Sequence, residues 1–333
     1  MNIFGNNIKL SVFGEKHGPD TFVALSGLRA GLALDADAAW SAAARRVPGM
    51  TEMGADPADA PPQVLGGLRG GLTTGEPVAA VIRSQPDPQG AGNIPRPGHE
   101  DLAAVARYGE RDFTGGVYSQ RLSAAVAFAG ALCMQLLAEK GVEIAAGLVD
   151  VGGEKGAELD FNMRRALLDA RGTGDSVGGA VECAARGVPA GLGSPSFGGV
   201  DSRIAALLFS LPGVKAVEFG AGVSFASMRG SAANDQIVLS EGAAAPATNN
   251  SGGVDGGMTT GMPLVVRMTL RPSPDVGREQ RSVNLDTMEE TAVRRRGRHE
   301  PCLAPRAVPV MEGAVAFCIL DAMLDSGAGN GLY

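Results

Sequence analysis

Two stretches of this chain nearly repeat each other. Gly70-Gly71-Leu72-Thr73-Thr74-Gly75-Glu76-Pro77-Val78 returns as Gly256-Gly257-Met258-Thr259-Thr260-Gly261-Met262-Pro263-Leu264. A β-rich run follows each, Val78 to Ile82 and Leu264 to Leu270. A loop holding Arg, His and Glu comes next, at His99 and at His299. Each loop leads to an apolar helix candidate, Leu122 to Lys140 and Val308 to Leu324. A helix apolar on every face is buried inside a protein rather than laid on its surface. The pattern predicts an α+β fold of two similar halves, about 1–150 and 151–333, related by a pseudo-twofold axis. The competing reading is chance likeness of two Gly-Thr turns. No clean linker separates the halves, so residues 1–333 read as a single interlocked domain. The two histidine loops are then expected to share a cleft between the halves.

The remaining pattern is coarser. Ile3 to Phe13 alternates as a strand does. Asp35 to Arg46 reads as a helix with Asp35 as N-cap. Glu154 to Arg171 reads as a helix and Ala216 to Phe225 as a strand. Met50 to Pro62, Pro86 to Pro97 and Ala243 to Gly257 read as loops.

Composition narrows the class of function. Of 333 residues, 44% are hydrophobic and 20% charged, ordinary for a globular protein. The formal charge of -7 argues against nucleic-acid binding, which needs a basic face. No run reaches the roughly 18 uninterrupted apolar residues of a membrane span, and no secretory leader is evident. Cys133, Cys183, Cys302 and Cys318 form no C-x-x-C pair, so neither a zinc site nor a disulfide framework is expected. These features predict a cytoplasmic protein with a small-molecule substrate, no metal, and no nucleic-acid or membrane partner.

The three histidines carry the chemistry. His17, His99 and His299 each lie in a loop beside Glu, and Lys16, Arg96 and Arg298 sit close by. Histidine titrates nearest neutral pH, so these loops point to a site that handles protons and anions.

With these segments in hand, the chain resembles the chorismate synthase family over nearly its whole length. Gly14-Glu15-Lys16-His17-Gly18 matches Gly-Glu-x-His-Gly. Arg45-Arg46-Val47-Pro48-Gly49 matches Arg-Arg-x-Pro-Gly. Thr73 to Pro77, Arg96 to Asp101 and Tyr108 to Asp112 follow in the family's order. So do Asp175 to Gly179, Thr248 to Gly253, Arg298 to Cys302 and Pro305 to Pro309. The ordered series is specific where any single motif is weak.

The resemblance implies a β-α-β sandwich of two α+β halves, commonly assembled as a homotetramer. It implies conversion of 5-enolpyruvylshikimate 3-phosphate to chorismate and phosphate, an anti 1,4-elimination that requires reduced FMN. It places His17, His99 and Glu300 in catalysis, Glu300 as the carboxylate that takes a proton from flavin N5. It assigns the flavin to Val117, Tyr118, Ser119, Gly256, Arg271, Pro272, Ser273, Pro274, Asp275 and Arg298. It assigns the substrate to Arg45, Arg46, Arg121 and Arg306, with Lys16 added from its place beside His17. Guanidinium groups suit these oxyanions because they bind them through two parallel hydrogen bonds. Imidazoles among phosphates are expected to have raised pKa values, which suits proton donation. No G-x-G-x-x-G follows a strand, so reduced flavin is expected from an external reductase, with NADPH as a further candidate reductant.

The chain also departs from the family. Lys16 stands where the family has Ser, and Glu300 where it has Asp. The basic Thr-x-Arg-x-Glu-x-Asp loop is replaced by Thr51-Glu52-Met53-Gly54-Ala55-Asp56-Pro57. Gly115 to Ser123 is a variant of the flavin segment. A divergent homologue with altered substrate, or a flavin-binding protein without catalysis, are the alternatives.

Overall fold

The computed structural model describes residues 3–14, 20–46, 60–83, 93–109, 123–240, 242–294 and 299–325. In chain order the first run is β1 (Ile3–Phe4), β2 (Lys9–Gly14), β3 (Asp20–Ser26), α1 (Ala36–Ala43), β4 (Gln63–Gly66), β5 (Val78–Arg83), α2 (Asp101–Tyr108) and α3 (Ser123–Ala138). The second is β6 (Glu143–Val151), β7 (Glu154–Lys155), α4 (Phe161–Gly172), β8 (Gly179–Arg186), α5 (Val200–Phe209), β9 (Val214–Phe219), the one-turn α6 (Gly230–Ala233), β10 (Leu264–Leu270) and α7 (Ala304–Asp325).

Two antiparallel sheets result, ordered β1-β2-β3-β5-β4 and β7-β6-β8-β10-β9. The last three strands are ordered alike in the two sheets, β3-β5-β4 and β8-β10-β9, while the edge strand comes first in chain order in one sheet (β1) and second in the other (β7). Helix α3 packs on the first sheet and α7 on the second, and the two helices pack on each other. The layers are therefore sheet, helix, helix, sheet, and the core lies where the helices meet.

The repeated turn is reproduced bond for bond. Thr73 Oγ1 accepts from Leu32 N at 2.8 Å and donates to Arg29 O at 2.7 Å. Thr259 Oγ1 accepts from Leu192 N at 2.9 Å and donates to Pro189 O at 2.6 Å. Gly70 and Gly256 both take φ +58°, a left-handed conformation that only glycine adopts without strain.

The helix crossing depends on glycine for a different reason. A Cβ built on Gly130 would stand 2.0 Å from the Gly313 Cα, so only two glycines permit the observed approach. Helix α7 is long and apolar enough to cross a membrane, yet 94% of its most apolar window is buried inside the protein. It is the core helix.

Several sequence expectations change at glycines. The strand expected over Ile3 to Phe13 breaks at Gly5, φ +109°. Asn6, Asn7 and Ile8 donate their backbone N–H groups to the buried Asp321 carboxylate at 2.7 to 3.1 Å. The helix expected from Glu154 begins only at Phe161. Gly152 and Gly153 turn the chain into β7, and Asp160 caps α4 through Met163 N at 2.9 Å. The strand expected to Phe225 stops at Phe219, because Gly220 and Gly222 both take φ +55°. A 3-10 helix, Gly222–Ser227, follows. Within the expected loop from Ala243 to Gly257, Ala243–Pro246 pairs with Ile237–Ser240. Asp35 caps α1 as expected, accepting from Asp37 N and Ala38 N at 2.9 Å each.

Candidate active site

The His99 loop is built around a fork. Arg96 Nε and Nη2 donate to the two Asp101 carboxylate oxygens at 2.8 and 2.6 Å, and Arg96 N donates to Oδ2 at 2.7 Å. Asp101 opens α2 and is buried. Burial pushes its carboxyl up, but the Arg96 bonds outweigh this and hold it below the usual range. Burial also raises the neighbouring Glu100. The fork fixes the loop between its ends, so His99 has little freedom. Its Nδ1 lies 3.3 Å from Pro97 O. A carbonyl only accepts, so this contact puts a proton on Nδ1 and leaves Nε2 as the basic nitrogen.

His99 departs from the expected raised pKa. Burial first, and the Arg96 guanidinium second, hold it below its ordinary value. The protein's own groups thus make His99 a neutral ring and a proton acceptor. The expected rise needs bound phosphates, and among the protein's own charges Arg96 has the largest effect and lowers the pKa.

The second half comes to the same loop. Arg271 follows β10, and its Nη1 donates to Gly98 O at 2.8 Å. Gly98 takes φ +74°, and a Cβ there would meet Arg271 Nη2 at 2.9 Å. The turn from Arg271 to Asp275 is pinned by Ser176 Oγ, which donates to Ser273 O at 2.6 Å. Asp275 Oδ1 then faces His299 Nδ1 at 3.5 Å. Gly277 lies against the other edge of that imidazole. Glu300 forms an ion pair with Arg306, which is 8% exposed at the start of α7. Val177 N donates to Pro301 O at 2.8 Å. The structure therefore brings His99, Arg271, Pro272, Ser273, Pro274, Asp275, His299, Glu300 and Arg306 to one region.

A second cluster lies further along α7. Arg46, 4% exposed, donates Nη2 to Ser123 Oγ at 3.4 Å at the head of α3. Arg45 bonds to Glu312 on α7 and donates Nε to Ala42 O at 3.1 Å. Glu312 follows Arg306 by six residues, about 9 Å along the helix axis. Gly256 joins neither cluster. It lies beyond the start of β10, and Arg271 lies past its end, roughly 20 Å away along the strand. A Cβ on Gly256 would meet nothing within 4 Å. Its φ of +58° also favours glycine. Lys16, His17, Val117, Tyr118, Ser119, Arg121 and Arg298 lie outside the described residues.

Sequence reasoning missed the Arg96–Asp101 fork and Glu312. The fork was legible as two opposite charges five residues apart around Pro-Gly. Glu312 was legible as an acid in the middle of an apolar helix, with Asp321 and Asp325 the other acids of α7. Among the described residues no His, Cys, Asp and Glu set could hold a metal ion.

A double α+β sandwich with His, Glu and Arg gathered at the ends of its strands defines an enzyme that handles protons on an anionic small molecule. Known proteins make the class specific. The family model for chorismate synthase matches residues 8–324. The chain is 40% identical to a chorismate synthase of Methanocella arvoryzae, covering 99% of this chain and 96% of that one. It is 39% identical to one of Thermococcus kodakarensis, covering 98% and 99%. A crystal structure of chorismate synthase superposes with a TM-score of 0.76 at 27% identity, covering 97% of this chain and 93% of that chain. This chain belongs to the chorismate synthase family. The alignment with the Methanocella protein spans 357 positions against a chain of 333 residues, so this member is shorter at internal sites.

Proposed function

We propose that the protein converts 5-enolpyruvylshikimate 3-phosphate to chorismate and phosphate with reduced FMN. The ring C–O bond to phosphate breaks, a ring proton leaves, and a second ring double bond forms, with no net redox change. The convergence of His99, Arg271, Asp275, His299, Glu300 and Arg306 from both halves carries this reading.

The residues suit an anionic flavin. Arg271 spends Nε and Nη1 on Pro272 O and Gly98 O. Among the described residues its other N–H donors have no partner, which suits a phosphate. Arg271, Ser273 and Asp275, with Val117, Tyr118, Ser119 and Arg298 from the resemblance, would hold the flavin; Gly256 stands apart. An electron lent to the substrate and later returned is the chemistry reduced FMN supplies when bound. His99 accepts or relays a proton at Nε2. Glu300 offers a carboxylate held by Arg306. His17 acts on the departing phosphate. Arg45, Arg46, Arg121 and Lys16 bind the phosphate and the two carboxylates of the substrate. We read the chain as one domain of two halves, assembled as a homotetramer in the cytoplasm, with flavin reduced by a separate reductase or from NADPH.

The test is direct. The protein is mixed anaerobically with photoreduced FMN and 5-enolpyruvylshikimate 3-phosphate, and chorismate absorbance and phosphate release are followed. Formation of both supports the proposal. Flavin retained without product favours a divergent homologue with another phosphorylated substrate, the reading to which the altered Thr51 to Pro57 loop points.

A further inference from the structure

Helices α3 and α7 are counterparts about the Gly130–Gly313 crossing, but the residue before each glycine differs. It is Ala129 in α3 and Glu312 in α7. Both are buried. A carboxylate in such a place is costly to desolvate, and an apolar side chain of similar volume is often at least as stable. Glu312 therefore points to what it holds. Its Oε1 accepts Ala146 N from β6 at 3.0 Å, which fixes the carboxylate, and its Oε2 accepts Arg45 Nη2. Arg45 Nε is held in turn by Ala42 O at 3.1 Å. Two anchors on one edge set the plane of the guanidinium. Arg45 remains 51% exposed, so part of the group is left open.

We propose that Glu312 is a positioning residue. It holds the Arg45 guanidinium so that its open edge meets an anionic oxygen of the substrate, phosphate or carboxylate. Arginine is a long, rotamer-rich side chain, and locking it beforehand removes an ordering cost that binding would otherwise meet. The inference rests on the reading that Arg45 binds substrate.

Glu312→Gln in the full chain keeps the volume and the acceptor for Ala146 N and removes the charge-assisted bond. The expected result is a KM for 5-enolpyruvylshikimate 3-phosphate raised about tenfold, with kcat within about twofold. In an Arg45→Ala background the same substitution is expected to leave KM unchanged, because the residue it positions is gone. Equal effects in both backgrounds, or a lowered Tm with KM unmoved, overturn the proposal and leave the proposed reaction intact. If Glu312→Gln does not fold, Glu312→Asp with the same Arg45→Ala background gives the second cycle. If the native protein makes no chorismate, the functional reading fails instead. Calorimetric titration of the four proteins with the same phosphorylated compound then decides the coupling through Kd.

Discussion

His99 shows how a residue's role depends on its neighbours. Burial and Arg96 both disfavour the charged ring, so its folded pKa lies below 6.5. As pH falls through about 6.5 the unfolded chain takes up a proton that the folded chain still refuses. The unfolded state then binds more protons, so stability declines toward the folded pKa, and the contribution is intact above 6.5. An NMR titration is expected to give His99 a midpoint below 6.5 that rises when inorganic phosphate is added. A midpoint above 6.5 in phosphate-free buffer contradicts the burial argument. Lys16 belongs to the same scale. If it restores a positive charge lost from the Thr51 to Pro57 loop, Lys16→Ser raises KM roughly fivefold; unchanged KM and kcat dispose of the idea. The histidines and arginines were legible as residue types in loops. The direction of the His99 shift was not, because it is set first by burial and second by Arg96, and burial is decided only when the chain folds.

At the level of elements, close approach matters more than propensity. Gly130→Ala puts a methyl into the backbone of α7 and is expected to cost about 3 kcal/mol, measured by urea unfolding; a cost under about 1 kcal/mol would show that the helices can separate. The two threonine turns offer a paired test. Thr73→Val and Thr259→Val each remove a buried acceptor and donor, at about 1–3 kcal/mol apiece. Similar values are expected because their bonds are the same. The two apolar helices, β5 and β10 were legible from their runs of apolar residues. The early ends of β1 and β9 were not, because a glycine in an alternating pattern reads as strand until its φ is known.

The whole molecule leaves one region without a core of its own. Among the described residues from 215 to 251 none is buried. Ile237 and Leu239 are 77% and 85% exposed, and Val223 is 77% exposed. An isolated two-stranded hairpin is marginal in water, so this arm is expected to pack in the proposed homotetramer. The double variant Ile237→Asp, Leu239→Asp is expected to lower the mass seen by light scattering while circular dichroism stays unchanged. An unaltered mass would place the assembly surface elsewhere.

By itself the sequence determined the duplicated α+β plan, the buried helices and the family, because apolar runs, paired turns and ordered motifs are local in the chain. Tertiary structure alone decided which residues act together. It set Gly98, beside His99, against Arg271 and Arg45 against Glu312, and it left Gly256 at the far end of β10. Those distances depend on how closely α3 and α7 cross and where β10 ends, and neither is recorded in any short stretch of residues.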